Sequence, residues 1–303
     1  MKVLILGHKG MLGSDLFLRL FAFHEVTGRD IEDFDIASSE DCEKVISETD
    51  PDVVVNAAAY TDVDGCESDR EKCFSVNAEG VKNIALSCRE RGIRIVHFST
   101  DYVFDGKKQK PYLEDDTCDP INVYGQSKLA GEQYLKQFSD NFLLVRSAWL
   151  YGRNGKNFVK TIVQKARTEK YLEIVDDQVG SPTFTWDLAG AVQLLIEGQY
   201  TGTFHITNRG NCSWYGFALK ILKFAGMTGV TVRPIKSDKL ARPAKRPHYS
   251  VLNCQKFSQS TGKTMRYWQV AVDDYRRASP GRRGSSLAAP RSRPAAFPAR
   301  ISR

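Results

Sequence analysis

The chain has 303 residues, 42% hydrophobic and 26% charged, an ordinary globular composition with enough apolar surface for a sizeable core. No apolar run approaches membrane-spanning length, and seven cysteines without a Cys-x-x-Cys pair read as reduced, structural thiols of a cytoplasmic protein. The net charge of +7 is concentrated in residues 278–303, which carry six arginines and no acid, so the remaining chain is nearly neutral and does not read as a nucleic-acid-binding body.

Residues 2–6 form a short apolar run, expected as a buried parallel strand. It leads into Gly7-His8-Lys9-Gly10-Met11-Leu12-Gly13 and then an apolar-periodic segment reaching about Phe23. Strand, glycine turn and helix in that order are the context of a dinucleotide site. Glycines let the backbone approach a pyrophosphate, and the helix N-terminus stabilises its charge. A plain glycine-rich turn is the alternative that the flanking elements oppose. Residues 25–28 read as a second strand, followed by Arg29-Asp30. An acid here binds the adenine-ribose hydroxyls of NAD and an arginine favours the 2′-phosphate of NADP; with both adjacent the choice stays open, tilted by Arg29 towards NADPH. Phe34-Asp35-Ile36 is either an adenine contact or a turn before a helix capped at Ser38 or Ser39.

Residues 51–56 are a third strand, ending in Ala57-Ala58-Ala59-Tyr60, where small side chains leave room for a cofactor. A helix over 77–91 carries a core stripe of Val81, Ile84, Ala85 and Cys88. The apolar run 93–98 is the fourth strand and stops abruptly in Ser99-Thr100-Asp101. After a polar loop at 107–119, Tyr124-Gly125-Gln126-Ser127-Lys128 opens a helix to about Phe138, and residues four apart share one face. A strand ending in hydroxyls opposite a Tyr/Lys pair can polarise a carbonyl and give it a proton. A lysine cation beside the phenol is expected to lower its pKa from about 10 towards neutrality. Residues 142–146 are a fifth strand.

Beyond about 150 the alternation loosens into helices at 157–167, 186–196 and 213–226, with strands at 172–175, 202–207 and 230–233. The expected fold is α/β: a Rossmann-like, doubly wound parallel sheet over 1–150 and a smaller mixed α/β substrate lobe over 151–277, some of whose segments return to the sheet. Residues 278–303 form a basic tail too poor in apolar residues to fold. Arg242-Pro243-Ala244-Lys245-Arg246 is either a phosphate holder at the cleft or a solvated loop. Five scattered histidines show no metal-ligand spacing, so no catalytic metal is expected.

Taken together, Gly7/Gly10/Gly13, Asn56-Ala57-Ala58-Ala59, the run Ser99 to Gly106 (STDYVFDG) and Tyr124-x-x-x-Lys128 resemble the extended short-chain dehydrogenase/reductases, and within them the dTDP-4-dehydrorhamnose reductase family. VRSAWLYG at 145–152, VGSPT at 179–183 and R-P-x-x-S at 246–250 extend the match in family order over residues 1–275. The resemblance implies an NAD(P)H-dependent reductase of the C4 keto group of dTDP-4-dehydro-L-rhamnose, serving cell-surface polysaccharide synthesis. It implies Tyr124 as proton donor, Lys128 as its partner at the nicotinamide ribose, and Thr100 as the hydroxyl on the substrate carbonyl. Gly7, Gly10, Met11, Leu12 and Gly13 would form the pyrophosphate loop, with Arg29, Asp30, Asp35 and Ile36 towards the adenosine. Ala57, Ala58, Ala59, Tyr60 and Ser99 would line the nicotinamide side, and Asp101, Trp149 and Arg246 the sugar nucleotide. Some relatives of this kind are homodimers. Two other readings stay open: an enzyme acting on a UDP-linked sugar, and a non-catalytic NADP-binding regulatory subunit like methionine adenosyltransferase β.

Overall fold

A computed structural model describes residues 1–277; the arginine-rich tail lies outside the described residues. The first half alternates strand and helix: β1 (Lys2–Leu6), α1 (Met11–Phe21), β2 (Glu25–Arg29), α2 (Ser39–Thr49), β3 (Val53–Asn56), α3 (Val63–Ser68), α4 (Arg70–Phe74), a π-helical turn at Ser75–Glu79, α5 (Gly80–Arg89), β4 (Arg94–Thr100), α6 (Val123–Phe138) and β5 (Phe142–Ser147). The second half adds β6 (Leu150–Tyr151), α7 (Phe158–Thr168), β7 (Tyr171–Val175), β8 (Val179–Gly180), β9 (Thr183–Phe184), α8 (Thr185–Glu197), β10 (Gly202–His205), β11 (Cys212–Ser213), α9 (Trp214–Ala225), β12 (Thr231–Ile235), α10 (Gln255–Thr261) and α11 (Trp268–Arg277).

Six parallel strands make the main sheet in the order β10-β5-β4-β3-β1-β2. Side chains alternate between its faces, as strands buried on both sides require. Val3, Ile5, Val55, Val96 and Val145 pack with Leu12, Leu16 and Leu20 of α1 and Leu188, Val192 and Leu195 of α8. Leu4, Leu6, Val54, Ile95 and Leu144 pack on the other face with Ile46 of α2, Ile84 of α5 and Leu135 of α6. Because β2 and β3 flank β1 on opposite sides, the loops leaving β1 and β3 diverge. They open a crevice at the carboxyl edge of the sheet.

The second lobe has its own aromatic core, in which Tyr151, Phe184, Phe217, Trp268 and Tyr275 pack around α7, α9 and α11. Its strands are short pairs: β7 with β12, β6 with β9, and β8 with β11. Helix α8 and strand β10 belong to the main sheet, so the chain crosses between the lobes repeatedly.

The helix expected from residue 77 begins as the π-helical turn, and its wider winding coincides with Asn77. The Asn77 amide holds both backbone groups of Tyr60, accepting from its N–H at 2.9 Å and donating to its carbonyl at 3.0 Å. Helices α3 and α4 lay outside the sequence reading. Each starts at an aspartate cap, Asp62 accepting from the Gly65 amide and Asp69 from the Lys72 amide, both at 3.0 Å. Among the described residues all seven cysteines are free thiols, and no helix is long and apolar enough to cross a membrane.

Candidate active site

The glycine turn after β1 is forced by close packing. Gly7 sits at φ +81°, and a Cβ there would lie 2.7 Å from the Ala58 nitrogen. A Cβ on Gly13 would lie 2.0 Å from the Gly7 carbonyl oxygen, so only glycine lets α1 start this close to the turn. Gly10 caps α1 without a side-chain hydrogen bond, which leaves the first-turn amides of Met11, Leu12 and Gly13 for an anion.

Beside this turn lies a cavity of about 260 Å³ lined by Gly7, Gly10, Asp30, Phe34, Asp35, Ile36 and the Ala57–Ala59 backbone. A cradle that glycine alone can form, an uncapped helix N-terminus and an adjoining slot of apolar side chains fit a dinucleotide. Asp30 faces the slot while its carboxylate accepts from the Lys9 amide at 2.8 Å and the Ile31 amide at 2.9 Å. Arg29 turns its guanidinium onto the Gly28 carbonyl at 3.2 Å and is not among the lining residues. The Asp30 carboxylate thus stands nearer the slot than the Arg29 guanidinium. Asp35 lines the slot, and its carboxylate accepts from the Ala37 amide at 2.9 Å in the turn before α2.

The carboxyl end of β4 delivers Ser99 and Thr100 to the same edge. Thr100 caps a short 3₁₀ turn at Asp101–Val103, accepting from the Tyr102 amide at 3.1 Å and donating to Asp101 Oδ1 at 3.1 Å. Buried Ser99 Oγ has no hydrogen-bond partner among the described residues. Helix α6 is laid directly on this turn: a Cβ at Gly125 would lie 2.2 Å from the Tyr102 carbonyl oxygen, and one at Gly131 2.3 Å from that of Asn77. Asn122 caps the helix, accepting from the Gly125 amide at 2.7 Å. Ser127 Oγ donates to the Tyr124 carbonyl at 2.7 Å and receives the Asn77 amide at 3.0 Å. This packing brings Tyr124 to the Thr100 hydroxyl and Lys128, one turn on, beneath β4.

The electrostatics differ from the sequence expectation in one respect. Burial, followed by the Asp101 carboxylate, pushes the Tyr124 phenol above its ordinary range, with the Thr100 hydrogen bond opposing. Lys128 does not offset that rise; burial lowers its own amine to about 8, and its Nζ lies 3.3 Å from His97 Nε2. Asp101 is also buried and is pushed up to about 7.

A second cavity, about 900 Å³, opens between the lobes against Tyr102, Phe158, Gln178, Trp214, Arg242 and Arg246. Arg246 lines it with its two terminal nitrogens on Asp64, both at 2.7 Å, which makes it a brace between lobes as well as a wall. Exposed Arg242 and Lys245 stand beside it, so the basic cluster lies at the cleft and not on an isolated loop. Trp149 and Asp101 stand outside the lining. Trp149, at φ +49°, stacks on Trp214 with centroids 3.6 Å apart and rings 6° from parallel, and it is Trp214 that lines the cavity. Sequence reasoning passed over Trp214, Asn77 and His97. Of these, His97 left a signal, as one of two polar residues, with Arg94, inside the apolar run 93–98.

A hydroxyl, a phenol and an amine gathered at the switch point beside a dinucleotide cradle are the means of guiding hydride between a nicotinamide and a carbonyl, and they mark an oxidoreductase of the extended short-chain dehydrogenase/reductase class. Residues 1–279 match the family model described as RmlD substrate binding domain. The chain belongs to the dTDP-4-dehydrorhamnose reductase family. It is similar to the dTDP-4-dehydrorhamnose reductase of Clostridium acetobutylicum, whose crystal structure superposes with a TM-score of 0.89 at 42% identity over 91% of this chain and 99% of that one. The Bacillus anthracis dTDP-4-dehydrorhamnose reductase, solved in complex with NADP, also gives 0.89, at 35% identity over 92% and 99%. The dTDP-4-keto-6-deoxy-D-glucose reductase of Streptomyces niveus is 38% identical over 89% of this chain and 94% of its own.

Proposed function

We propose that this protein reduces the C4 keto group of dTDP-4-dehydro-L-rhamnose to give dTDP-L-rhamnose. The observation that carries the reading is the Thr100–Tyr124–Lys128 set, held by α6 against the end of β4 and next to the dinucleotide slot. NADPH or NADH supplies the hydride. The first-turn amides of α1 would hold the pyrophosphate, Asp30 would meet the adenosine ribose with Arg29 able to reach it only by leaving the Gly28 carbonyl, Asp35 and Ile36 would border the adenine, and Ala57 to Tyr60 with Ser99 would wall the nicotinamide side. Lys128 serves the nicotinamide ribose.

As hydride arrives at C4, negative charge grows on the carbonyl oxygen, and hydroxyl donors aimed there stabilise the transition state more than the ground state. Thr100 and Tyr124 are those donors. A phenol held above its ordinary pKa is fully protonated at neutral pH, which is the form a reduction needs. It releases its proton only as the alkoxide becomes the stronger base. The diphosphate and base of the sugar nucleotide would lie along the larger cavity, near Arg242, Lys245 and Trp214, with Asp101, Trp149 and Arg246 shaping the sugar end.

The test follows NADPH absorbance with purified protein and dTDP-4-dehydro-L-rhamnose, beside Tyr124→Phe. Turnover in the native protein, falling by roughly 10²–10⁴-fold in the variant while NADPH still binds, is expected. Turnover only with dTDP-4-keto-6-deoxy-D-glucose or a UDP-linked keto sugar would reassign the substrate. Bound NADPH with no turnover on any of them would leave the regulatory-subunit reading.

A further inference from the structure

Behind the reacting groups, the hydrogen bonds around His97 run in one direction. The Ala58 amide can only donate, and at 3.1 Å it donates to Asn56 Oδ1. That fixes the Asn56 side chain with its NH₂ towards His97 Nδ1, at 3.2 Å. His97 is fully buried, and burial with the neighbouring Lys128 holds it well below the usual histidine range, so the ring is neutral. With Nδ1 accepting, its one hydrogen is on Nε2, which lies 3.3 Å from Lys128 Nζ. An ammonium has three hydrogens and no lone pair, and would set N–H against N–H. A neutral amine has a lone pair to accept.

We propose that His97 is a positioning residue that eases loss of the proton from Lys128 in the free enzyme, through a one-way chain of donors running from the Ala58 amide through Asn56 and His97 to the lone pair that only the neutral amine offers. Glu132 and Cys73 favour the charge on Lys128, but less than burial disfavours it. Glu132, one turn on along α6, is engaged by Arg146 from β5 at 2.9 and 2.6 Å. Cys73 of α4 is a buried thiol held between Cys66 and Ser127. Tyr124, one turn before, keeps its proton. Taking up a proton at Lys128 requires His97 to move its hydrogen to Nδ1 and give up the Asn56 bond. Asn56 ends β3 and anchors the Ala58 amide, so the charge on Lys128 is coupled to the wall of the dinucleotide slot. The consequence for binding rests on the proposed place of Lys128 at the dinucleotide; the pairing with His97 does not.

The free protein, labelled with ¹³C at lysine Cε, is titrated by NMR, with Lys128→Met identifying the resonance. Lys128 is expected to titrate with a midpoint near 8 against 10.5 for an ordinary lysine. In His97→Gln, whose amide oxygen can accept from an ammonium, the midpoint should rise by at least one unit, a tenfold gain in proton affinity. A native Lys128 that titrates above pH 10, or a midpoint unmoved in a folded His97→Gln, overturns the proposal. NADPH affinity measured on the same samples by protein fluorescence should fall about tenfold per pH unit above the midpoint, as the competent fraction falls. A midpoint near 8 with flat NADPH affinity supports the pairing and counts against the place of Lys128 at the dinucleotide. Loss of turnover on the keto sugar with the titration intact counts against the proposed function alone.

Discussion

The Thr100 hydroxyl gives its single hydrogen to Asp101 Oδ1, 3.1 Å away, while accepting from the Tyr102 amide. In that arrangement it has nothing left to donate to a substrate oxygen. A protonated Asp101 reverses the bond, since the acid then donates to Thr100 and frees the hydroxyl hydrogen. With Asp101 pushed up to about 7 by burial, both arrangements are populated near neutral pH. The expected result is a kcat that declines as pH rises through about 7, a decline that Asp101→Asn abolishes. A pH–rate profile of the two proteins checks it.

Thr100→Val keeps the shape of the side chain and removes the donor. Loss of one preorganised donor to a developing oxyanion should lower kcat by about 10²–10³-fold. KM should change little, because the ground-state carbonyl gains little from that bond. Steady-state kinetics distinguishes this from a packing defect, which would move both.

Asp101 also sets a stability trend. The folded protein holds this proton more tightly than the unfolded chain, so folding is favoured at low pH. The advantage is lost as pH climbs from 3.8 through about 7. At about 1.4 kcal/mol per unit the full effect is roughly 4 kcal/mol. Asp101→Asn, neutral throughout, should therefore gain on the native protein as pH rises from 5 to 8. Denaturant midpoints across that range measure the difference.

Two glycines separate conformational strain from collision. Gly92 lies at φ +66° with nothing near its missing Cβ, so Gly92→Ala should cost about 1 kcal/mol, leaving NADPH affinity unchanged. Gly13→Ala meets the Gly7 carbonyl and must push α1 off the turn, so NADPH binding should be lost or weakened by at least tenfold. Fluorescence titration with NADPH beside thermal denaturation reads both.

The Arg146–Glu132 pair, 2% and 0% exposed, joins β5 to α6 directly below Lys128. Glu132→Leu leaves the guanidinium buried and uncompensated, and should destabilise the fold by about 3–5 kcal/mol. Chemical denaturation of the single variant and of Glu132→Leu with Arg146→Met tests it. The double variant should recover much of the loss.

The sheet was readable because buried parallel strands are short apolar runs, and residues 2–6, 53–56 and 142–146 each carry one. The cradle was readable because Gly7 and Gly13 answer to backbone collisions that nothing but glycine avoids. Two-residue strands such as β8 and β11 have no period to detect, and α3 and α4 were hidden because Asp62 and Asp69 look like loop acids until the amides they cap are seen. Tyr124 and Lys128 were readable as neighbours on one helix face. Their protonation was not, because it depends on His97 and Asp101, which the fold brings from another strand end into a dry interior. Trp214, which has no motif around it, lines the cavity with Trp149 stacked on it, a pairing that only the fold creates.

The return of α8 and β10 to the main sheet decides how the molecule can be divided. A fragment ending near residue 150 would strip Leu188, Val192 and Leu195 from the face formed by Leu12, Leu16 and Leu20, and would leave the edge of β5 unpaired. The part that cradles the dinucleotide is therefore not a cassette that could be excised, or exchanged between enzymes by a single crossover. Exchange of sugar specificity would have to graft at least two separate stretches, before and after α8 and β10, and leave the stitching between them in place.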